Sequence, residues 1–306
     1  MYIATLRPKE GELRALHHLS DYSLPVESFL PNFIVKDSFP KTLNSITKKY
    51  HGKTLLDVRK LDSCGISELE ELINNNNDYS SQFNIVYPIE ILLSNSNSIE
   101  NINYVRISRE NMNGFFIQWL TTNLDAIPEN VLIDFEFIND DVPDTLISYA
   151  IQIINLLHDK QITIMSGAIP QTVPVKSDVN YTLPRYEKTL YQQIQAAVKS
   201  KLIYGDYCTV SPLPLAGTVA IPIVQIKYTL DDNYIYVRNG QRVGGYDFVS
   251  VCREIINIVP NFDENYCWSN NYIRSVINEN RNMGNASTWV SIGVNHHIHL
   301  CVDETI

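Results

Sequence analysis

The sequence predicts an α/β fold, a closed (β/α)8 TIM-barrel-like domain with a C-terminal β-hairpin and strand extension. Eight short runs rich in β-branched and aromatic residues alternate with amphipathic segments of helical period. Eight strands separated by helices favour a closed parallel barrel over an open sheet. No Ser-, Gly- or Pro-rich linker interrupts the 306 residues, so we expect one barrel domain over 1–306. An open doubly wound sheet with a small β appendage is the alternative.

The predicted strands are apolar and β-branched runs that end close to a polar residue. They are expected at Tyr2–Leu6, Phe29–Val35, Thr54–Val58, Phe83–Ile91, Tyr104–Ile107, Val131–Phe137, Ile162–Ser166 and Leu202–Asp206. The helices between them are expected at Gly11–Leu19, Pro40–Tyr50, from Ser67 onward, and at Asn113–Leu124, Asp144–Asp159 and Tyr186–Ser200. The fifth of these helices shows the period most clearly, because Ile147, Ile151 and Ile154 recur at helical spacing.

The residues from about 213 to 306 are expected to elaborate the barrel. Val224–Thr229 and Tyr234–Arg238 alternate in hydropathy around a polar turn, which predicts a β-hairpin. A further helix is expected over Tyr246–Val259, because its apolar residues recur with helical spacing. A C-terminal strand is expected at Ser287–Ile292 or Ile298–Val302.

Composition excludes some classes of protein. The chain is 44% hydrophobic and 10% aromatic, which is enough for a sizeable core and excludes global disorder. A net charge of −10 argues against a protein whose main task is to grip nucleic acid. Five cysteines without a CxxC pair indicate a reducing compartment instead of a disulfide framework. With no signal-peptide pattern and no long apolar run, we expect a cytoplasmic protein without a membrane span.

Charged residues stand near the ends of most predicted strands, where barrel enzymes place their active sites. Strand side chains alternate with period two, so residues of one parity share a face. The residues predicted to bind a ligand, at this rim or in the C-terminal segment, are Arg7, Lys9, Asp57, Arg59, Glu90, Arg106, Ser166, Tyr207, Trp289 and His297. The candidate catalytic carboxylates are Asp134, Glu136 and Asp206. Such a mixed ring suits an anion held by arginines while a carboxylate transfers protons.

Other interpretations of these residues stay open. The charges at the strand ends could instead be ion pairs that hold the rim together. Asp134 and Glu136 resemble a pair of metal-ligand carboxylates. On a terminal strand, His297 and His299 would share one face and His296 the other, so two imidazoles could meet a metal. Because no histidine stands at a defined spacing from the carboxylates, we assign no metal and no cofactor.

Sequence motifs for known chemistry are scarce. The glycines of Arg242–Gly245 lead into a predicted helix, and a helix N-terminus with glycines can receive a phosphate, although such glycines often only turn the chain. The chain contains no Walker A loop, no GxGxxG before a helix, no nucleophile elbow and no HExxH. Whether the protein is an enzyme is therefore left open.

A series of different short motifs extends along nearly the whole chain. They are Met1–Lys9, Gly11–Leu16, Ser166–Pro170, Tyr204–Tyr207, Ile226–Thr229, Cys267–Ser269, Thr288–Ser291 and Asn295–Ile298. This succession resembles the bacteriophage T4 beta-protein family. The resemblance implies a barrel and a role in bacterial antiphage defence or phage–host conflict, but it carries no catalytic mechanism. Pro31–Lys36 departs from the Pro-Leu-(Phe/Ile)-Glu-like stretch of the family, so a glutamate there would be missing or replaced by Glu90.

Three functional hypotheses follow. The first is a barrel that binds or processes a small anionic, nucleotide-like ligand at its mouth in phage–host conflict. The second is a non-catalytic sensor or partner-binding module in the same setting, with a protein partner encoded nearby. The third is a metal-dependent nucleic-acid enzyme using Asp134 and Glu136, which the acidity of the chain disfavours.

Overall fold

Eight parallel strands form a closed barrel. The computed structural model describes residues 1–22, 24–37, 39–94, 102–214, 223–242 and 247–305. The barrel strands are β1 (Tyr2–Leu6), β2 (Phe29–Ile34), β3 (Thr54–Asp57), β4 (Phe83–Pro88), β5 (Tyr104–Ser108), β6 (Asn130–Phe137), β7 (Gln161–Gly167) and β9 (Ile203–Asp206). They are hydrogen-bonded in that order, and β1 pairs with both β2 and β9, with Tyr2 opposite Phe29 and Tyr204. The predicted barrel is confirmed.

Helices cover the barrel and the segment that follows it. They are α1 (Glu10–His17), α2 (Phe39–Thr47), α3 (Ser63–Asn74), α4 (Asn77–Gln82), α5 (Glu90–Leu93), α6 (Gly114–Thr122), α7 (Asp144–Leu156), α8 (Tyr186–Ala197), α9 (Phe248–Ile258), α10 (Trp268–Glu279) and α11 (Ala286–Thr305). The predicted start of the third helix at Ser67 was wrong by one turn, because Asp62 caps α3 by accepting a hydrogen bond from the Gly65 N–H at 2.9 Å. No helix in the described ranges is long and apolar enough to cross a bilayer.

A small antiparallel sheet lies outside the barrel. The predicted hairpin is confirmed as β10 (Ile223–Thr229) and β11 (Asn233–Arg242). A third strand, β8 (Tyr181–Pro184), pairs with β11 and was not predicted, because it is only four residues long and half of it is exposed.

The predicted C-terminal strand was wrong, since Ala286–Thr305 is one helix, α11. It packs against α1, α10 and β10, so it is buried on nearly all sides and has no polar face. Without that face, its isoleucines and valines give a strand-like pattern. Gly293 lets α11 approach β10 closely, because a Cβ there would lie 2.7 Å from the Lys227 carbonyl oxygen.

Alternation along the strands separates an inner from an outer core. Inside the barrel, Ile3, Leu55, Leu132 and Met165 pack together with Tyr207. The residues between them in sequence point outward and pack under the helices. This places Tyr207 in the barrel and its neighbour Asp206 in the outer shell.

Candidate functional site

A buried network of charges fills the carboxyl end of the barrel. Asp134 on β6 accepts hydrogen bonds at its Oδ2 from Arg106 Nε at 2.7 Å and from the Tyr207 hydroxyl at 2.5 Å. Arg59 Nη1 lies 3.0 Å from the same oxygen, and Arg59 Nε donates to Asp57 Oδ2 at 2.9 Å. We call Asp57, Arg59, Arg106, Asp134 and Tyr207 the rim network. Each charged group in it has an opposite charge within hydrogen-bond distance.

In the rim network, burial and ion pairing shift the pKa values of the charged groups in opposite directions. Burial alone would raise the pKa of Asp134, but Arg106 and Arg59 outweigh it and hold that pKa below its usual value. Burial would likewise lower the pKa of Arg59, yet Asp57, Tyr207 and Asp134 raise it well above normal. Burial raises the pKa of Tyr207, so its hydroxyl keeps its proton. The network is therefore a neutralised set of charges in fixed protonation states.

Glu136 reaches from the rim network toward solvent. Its side chain is 46% exposed, and its Oε1 lies 2.5 Å from Arg106 Nη2. The backbone of Glu136 is left-handed, with φ at 59°, beside a register shift between Asp134 and Phe137 of β6. The Asp134 Oδ1 accepts a hydrogen bond from the Glu136 N–H at 2.8 Å, which holds this bend.

Asp206 was expected to lie with the other charges at the strand ends. This was wrong, because its side chain points outward from β9, away from the rim network. Its carboxylate accepts hydrogen bonds from the hydroxyls of Tyr2 and Tyr204 and from the Cys208 N–H. His297 Nε2 on α11 lies 2.8 Å from Asp206 Oδ2. The pair is buried between the barrel and α11, so it joins two parts of the fold without access to solvent.

Asp206, His297 and Cys301 bring three metal-ligand atoms within 4.8 Å of one another. The surroundings of this group do not favour a bound cation. Arg185 Nη2 lies 3.2 Å from Cys301 Sγ, so a positive charge already neighbours the sulfur. The predicted pairing of His297 with His299 was also wrong, because two residues along a helix point to nearly opposite sides.

Two further predicted site residues do not take part in the rim network. Glu90 is exposed at the start of α5, since β4 ends at Pro88 and not at Ile91. Ser166 is buried and shares the outward parity of Ile162 and Ile164, which pack under helices. The glycines of Arg242–Gly245, considered for phosphate, lie outside the described residues.

A second charged region lies beside the barrel mouth, between β1, β10 and α11. It is a cavity of about 340 Å³, which we call the cationic cavity. Arg7 and Lys9 reach it from the end of β1, Lys227 from β10 and Trp289 from α11. The elements converge because α11 packs on both α1 and β10. Three residues predicted as ligand-binding, Arg7, Lys9 and Trp289, thus line one cavity.

Two titratable groups in the cationic cavity have shifted pKa values. Burial raises the pKa of Glu12, on α1, from 4.5 to about 7, despite the opposing effect of Lys9 and Arg7. Burial lowers the pKa of Lys227 from 10.5 to about 8, and Arg7 adds to the shift. The Lys227 ammonium donates a hydrogen bond to the Thr209 carbonyl oxygen at 2.9 Å. Both groups can therefore change charge near neutral pH, as groups at functional sites often do.

Two polar atoms of residues lining this cavity lack hydrogen-bond partners in the described part of the chain. They are Gln225 Oε1 and Trp289 Nε1, and both atoms are buried. Leaving a buried polar atom unpaired costs about 1–3 kcal/mol, so we expect water or a ligand to satisfy these two atoms. A ligand that offers one donor and one acceptor would satisfy both.

Sequence reasoning missed Glu12, Gln225 and Lys227 as site residues. A signal for two of them was present, since Gln225 and Lys227 share one parity of β10 while Val224 and Ile226 occupy the other. That alternation indicates a polar face, but not what the face meets. Glu12 lies one helical turn past the first strand, outside the strand-end pattern.

Comparison with known families agrees with the family resemblance. A family model described as Beta protein matches residues 104–303, roughly two thirds of the chain. The motifs from Ser166–Pro170 to Asn295–Ile298 lie inside this match, while the opening motifs precede it. A search of curated proteins found no match. The match covers more than half of the residues, and the chain belongs to the beta protein family.

Proposed function

We propose that the cationic cavity binds a small anionic ligand. The observation that carries this proposal is that Arg7, Lys9 and Lys227 line one cavity and none has an ion-pair partner among the described residues. The chain as a whole carries a net charge of −10, so three unpaired cations at one place are a local exception. Charge-assisted hydrogen bonds to carboxylate or phosphate oxygens would compensate them.

Two features of the cavity support binding of such a group in one position. Arg7 Nη2 donates to the Ser211 carbonyl oxygen at 2.6 Å and to the Leu213 carbonyl oxygen at 3.3 Å, which fixes the guanidinium. Gln225 and Trp289 offer one acceptor and one donor to the uncharged part of the ligand. A nucleotide-like molecule, with an anionic end and a polar ring, has both kinds of group.

Binding is tested by calorimetry with inorganic phosphate and with sulfate at low ionic strength. Lys227→Met keeps the length of the side chain and removes its charge, so we expect the affinity to fall about 10-fold or more, as for the loss of a charge-assisted hydrogen bond. Lys199→Met makes the same charge change at an exposed position after α8 and serves as the control. Equal affinities for both variants and the wild type would refute the proposal.

Processing of the ligand is an extension of the same proposal, and Glu12 supports it. A carboxyl group with a pKa of about 7 can give and take a proton at neutral pH, as a general acid or base must. Glu12→Gln keeps the shape and removes the titration. If the protein turns its ligand over, this variant should bind it and fail to convert it.

The antiphage setting is a proposal that rests on the family resemblance. Cells expressing the wild-type chain should resist a phage challenge that cells expressing Lys227→Met do not. Equal plating efficiency on both strains, with equal protein levels, would separate ligand binding from defence.

A further inference from the structure

A second pocket adjoins the cationic cavity and shares two of its residues. This rim pocket has a volume of about 410 Å³ and lies at the ends of β1, β2 and β3. Lys36 and Lys60 line it, opposed by Asp37. Arg7 and Lys9 line both the rim pocket and the cationic cavity, so the two form one surface across the end of β1.

The wall between the two pockets is held in place. The two carbonyl groups that Arg7 binds belong to Ser211 and Leu213. These residues flank Pro212, which lines the rim pocket together with Pro214 and Pro8. Prolines restrict the backbone, so the segment that Arg7 binds is stiff. Two hydrogen bonds thus hold Arg7 where the two pockets meet.

The charges of the combined surface exceed what one anion needs. Its cations are Arg7, Lys9, Lys36, Lys60 and Lys227, and none has an ion-pair partner in the described part of the chain. Its acidic residues are Glu10, Glu12 and Asp37, of which Glu10 already pairs with Arg14 at 3.0 Å. A single anion beside Lys227 would leave Lys36 and Lys60, which are exposed in the other pocket, free to bind a second anionic group.

Building on the proposed anion binding, we propose that the ligand carries two separated anionic groups, each phosphate-like. One group binds in the cationic cavity at Lys227, and the other binds in the rim pocket at Lys36 and Lys60. Arg7 and Lys9 contact the part that joins them. The ligand class is thus a bisphosphate or an extended nucleoside polyphosphate.

The test compares alkane bisphosphonates of increasing chain length with an alkyl monophosphonate, by calorimetry on the full chain. The wild type should bind one or two chain lengths at least 10-fold more tightly than the monophosphonate. Replacing both lysines of the rim pocket, Lys36→Met with Lys60→Met, should lower bisphosphonate affinity to the monophosphonate level and leave monophosphonate affinity unchanged. Lys227→Met should weaken both ligands, and Lys199→Met neither.

The outcomes separate the two proposals. If the wild type binds the monophosphonate but gains nothing from a second phosphonate, the ligand is not bis-anionic and the proposed function stands. The same conclusion follows if the rim-pocket variant keeps full bisphosphonate affinity. If the wild type binds neither ligand, the proposed function fails and this inference fails with it. Thermal melts of each variant identify loss of fold, and the singly substituted Lys60→Met then replaces the double variant.

Discussion

Two charged regions lie at the same end of the barrel, and they differ in how their charges are balanced. In the rim network, Asp134 Oδ2 lies 3.0 Å from Arg59 Nη1 and 2.7 Å from Arg106 Nε, and these side chains are almost entirely shielded from solvent. In the cationic cavity, Arg7 and Lys227 have carbonyl oxygens as partners but no carboxylate within ion-pair distance among the described residues. Both regions combine basic side chains with carboxylates, so the presence of both charges does not distinguish them.

This difference indicates that ion pairing distinguishes a structural cluster of charges from a binding site. A network in which every charge is compensated has no free energy left to gain from an anion, since the anion would have to displace a carboxylate. An unpaired cation in a cavity gains from an anion directly. The pairing of Arg59 and Arg106 favours a structural role at the barrel mouth, and in our proposal the anion binds instead at Arg7, Lys9 and Lys227.

The largest effect is expected from Asp134→Ala, which breaks the rim network. Removing this carboxylate takes one partner from both Arg59 and Arg106, which keep Asp57 and the half-exposed Glu136, and the loss of one partner from a buried set costs about 3–5 kcal/mol of unfolding free energy. Because the folded-state pKa of Asp134 is lowered, its contribution is present at neutral pH and is lost as the pH falls through that lowered pKa. Urea unfolding followed by circular dichroism measures the change.

The control for this variant is Asp159→Ala, whose side chain is 63% exposed. It should cost less than about 1 kcal/mol. A loss that small for Asp134→Ala as well would show that the rim network does not hold the barrel, and the contrast between the two regions would disappear.

Lys227→Met is expected to raise the free energy of unfolding instead of lowering it. The folded-state pKa of Lys227 is lowered to about 8, so its contribution to stability is present above its ordinary 10.5 and is lost as the pH falls through 8. At pH 7 the charged lysine therefore weakens the fold, and removing it should stabilise the chain by about 1–2 kcal/mol. Urea midpoints at pH 7 and pH 9.5 should show the gain shrinking at the higher value. A destabilised variant at pH 7 would mean that Lys227 is paired after all.

These contrasts show what local sequence patterns can predict. The strands of the barrel follow from runs of six or so residues, because each run carries its own β-branched signal, and the strand order follows from alternation with helices. Parity put Asp57 with Arg59 on one face of β3 and Asp134 with Glu136 on one face of β6. It misplaced Asp206, because parity states which residues share a face but not which face is inside.

The cationic cavity could not be predicted in the same way. Its residues come from β1, α1, β10 and α11, so they meet only through the packing of α11 between α1 and β10. That packing was hidden, because the valines and isoleucines of α11 gave a strand pattern in a helix with no polar face. A buried helix cannot be told from a buried strand by periodicity alone.

A change of pH is expected to alter anion affinity, and by less free energy than Asp134→Ala alters stability. Sulfate keeps its charge between pH 6 and pH 8.5, so only the protein titrates in this range. Glu12 ionises near pH 7 and Lys227 loses its charge near pH 8, and both changes disfavour an anion. Sulfate affinity should fall about 10-fold over the range, equal to about 1.4 kcal/mol. In Glu12→Gln the fall should begin only near pH 8, and an unchanged pH profile would exclude Glu12 from the site.

The smallest effect is expected from Glu136→Gln, which tests whether burial is the cause of the contrast. Glu136 and Asp134 are bound by the same guanidinium, that of Arg106, at 2.5 Å and 2.7 Å. They differ in exposure, since the Glu136 side chain is 46% exposed and that of Asp134 is 0% exposed. Water screens the exposed pair, so its loss should cost less than about 1 kcal/mol, although the bond is at least as short. Arg106 stays neutralised by Asp134 in this variant, which leaves no uncompensated charge. If urea unfolding instead gave a loss of several kcal/mol, then pairing distance and not burial would govern the strength of the ion pairs in the rim network.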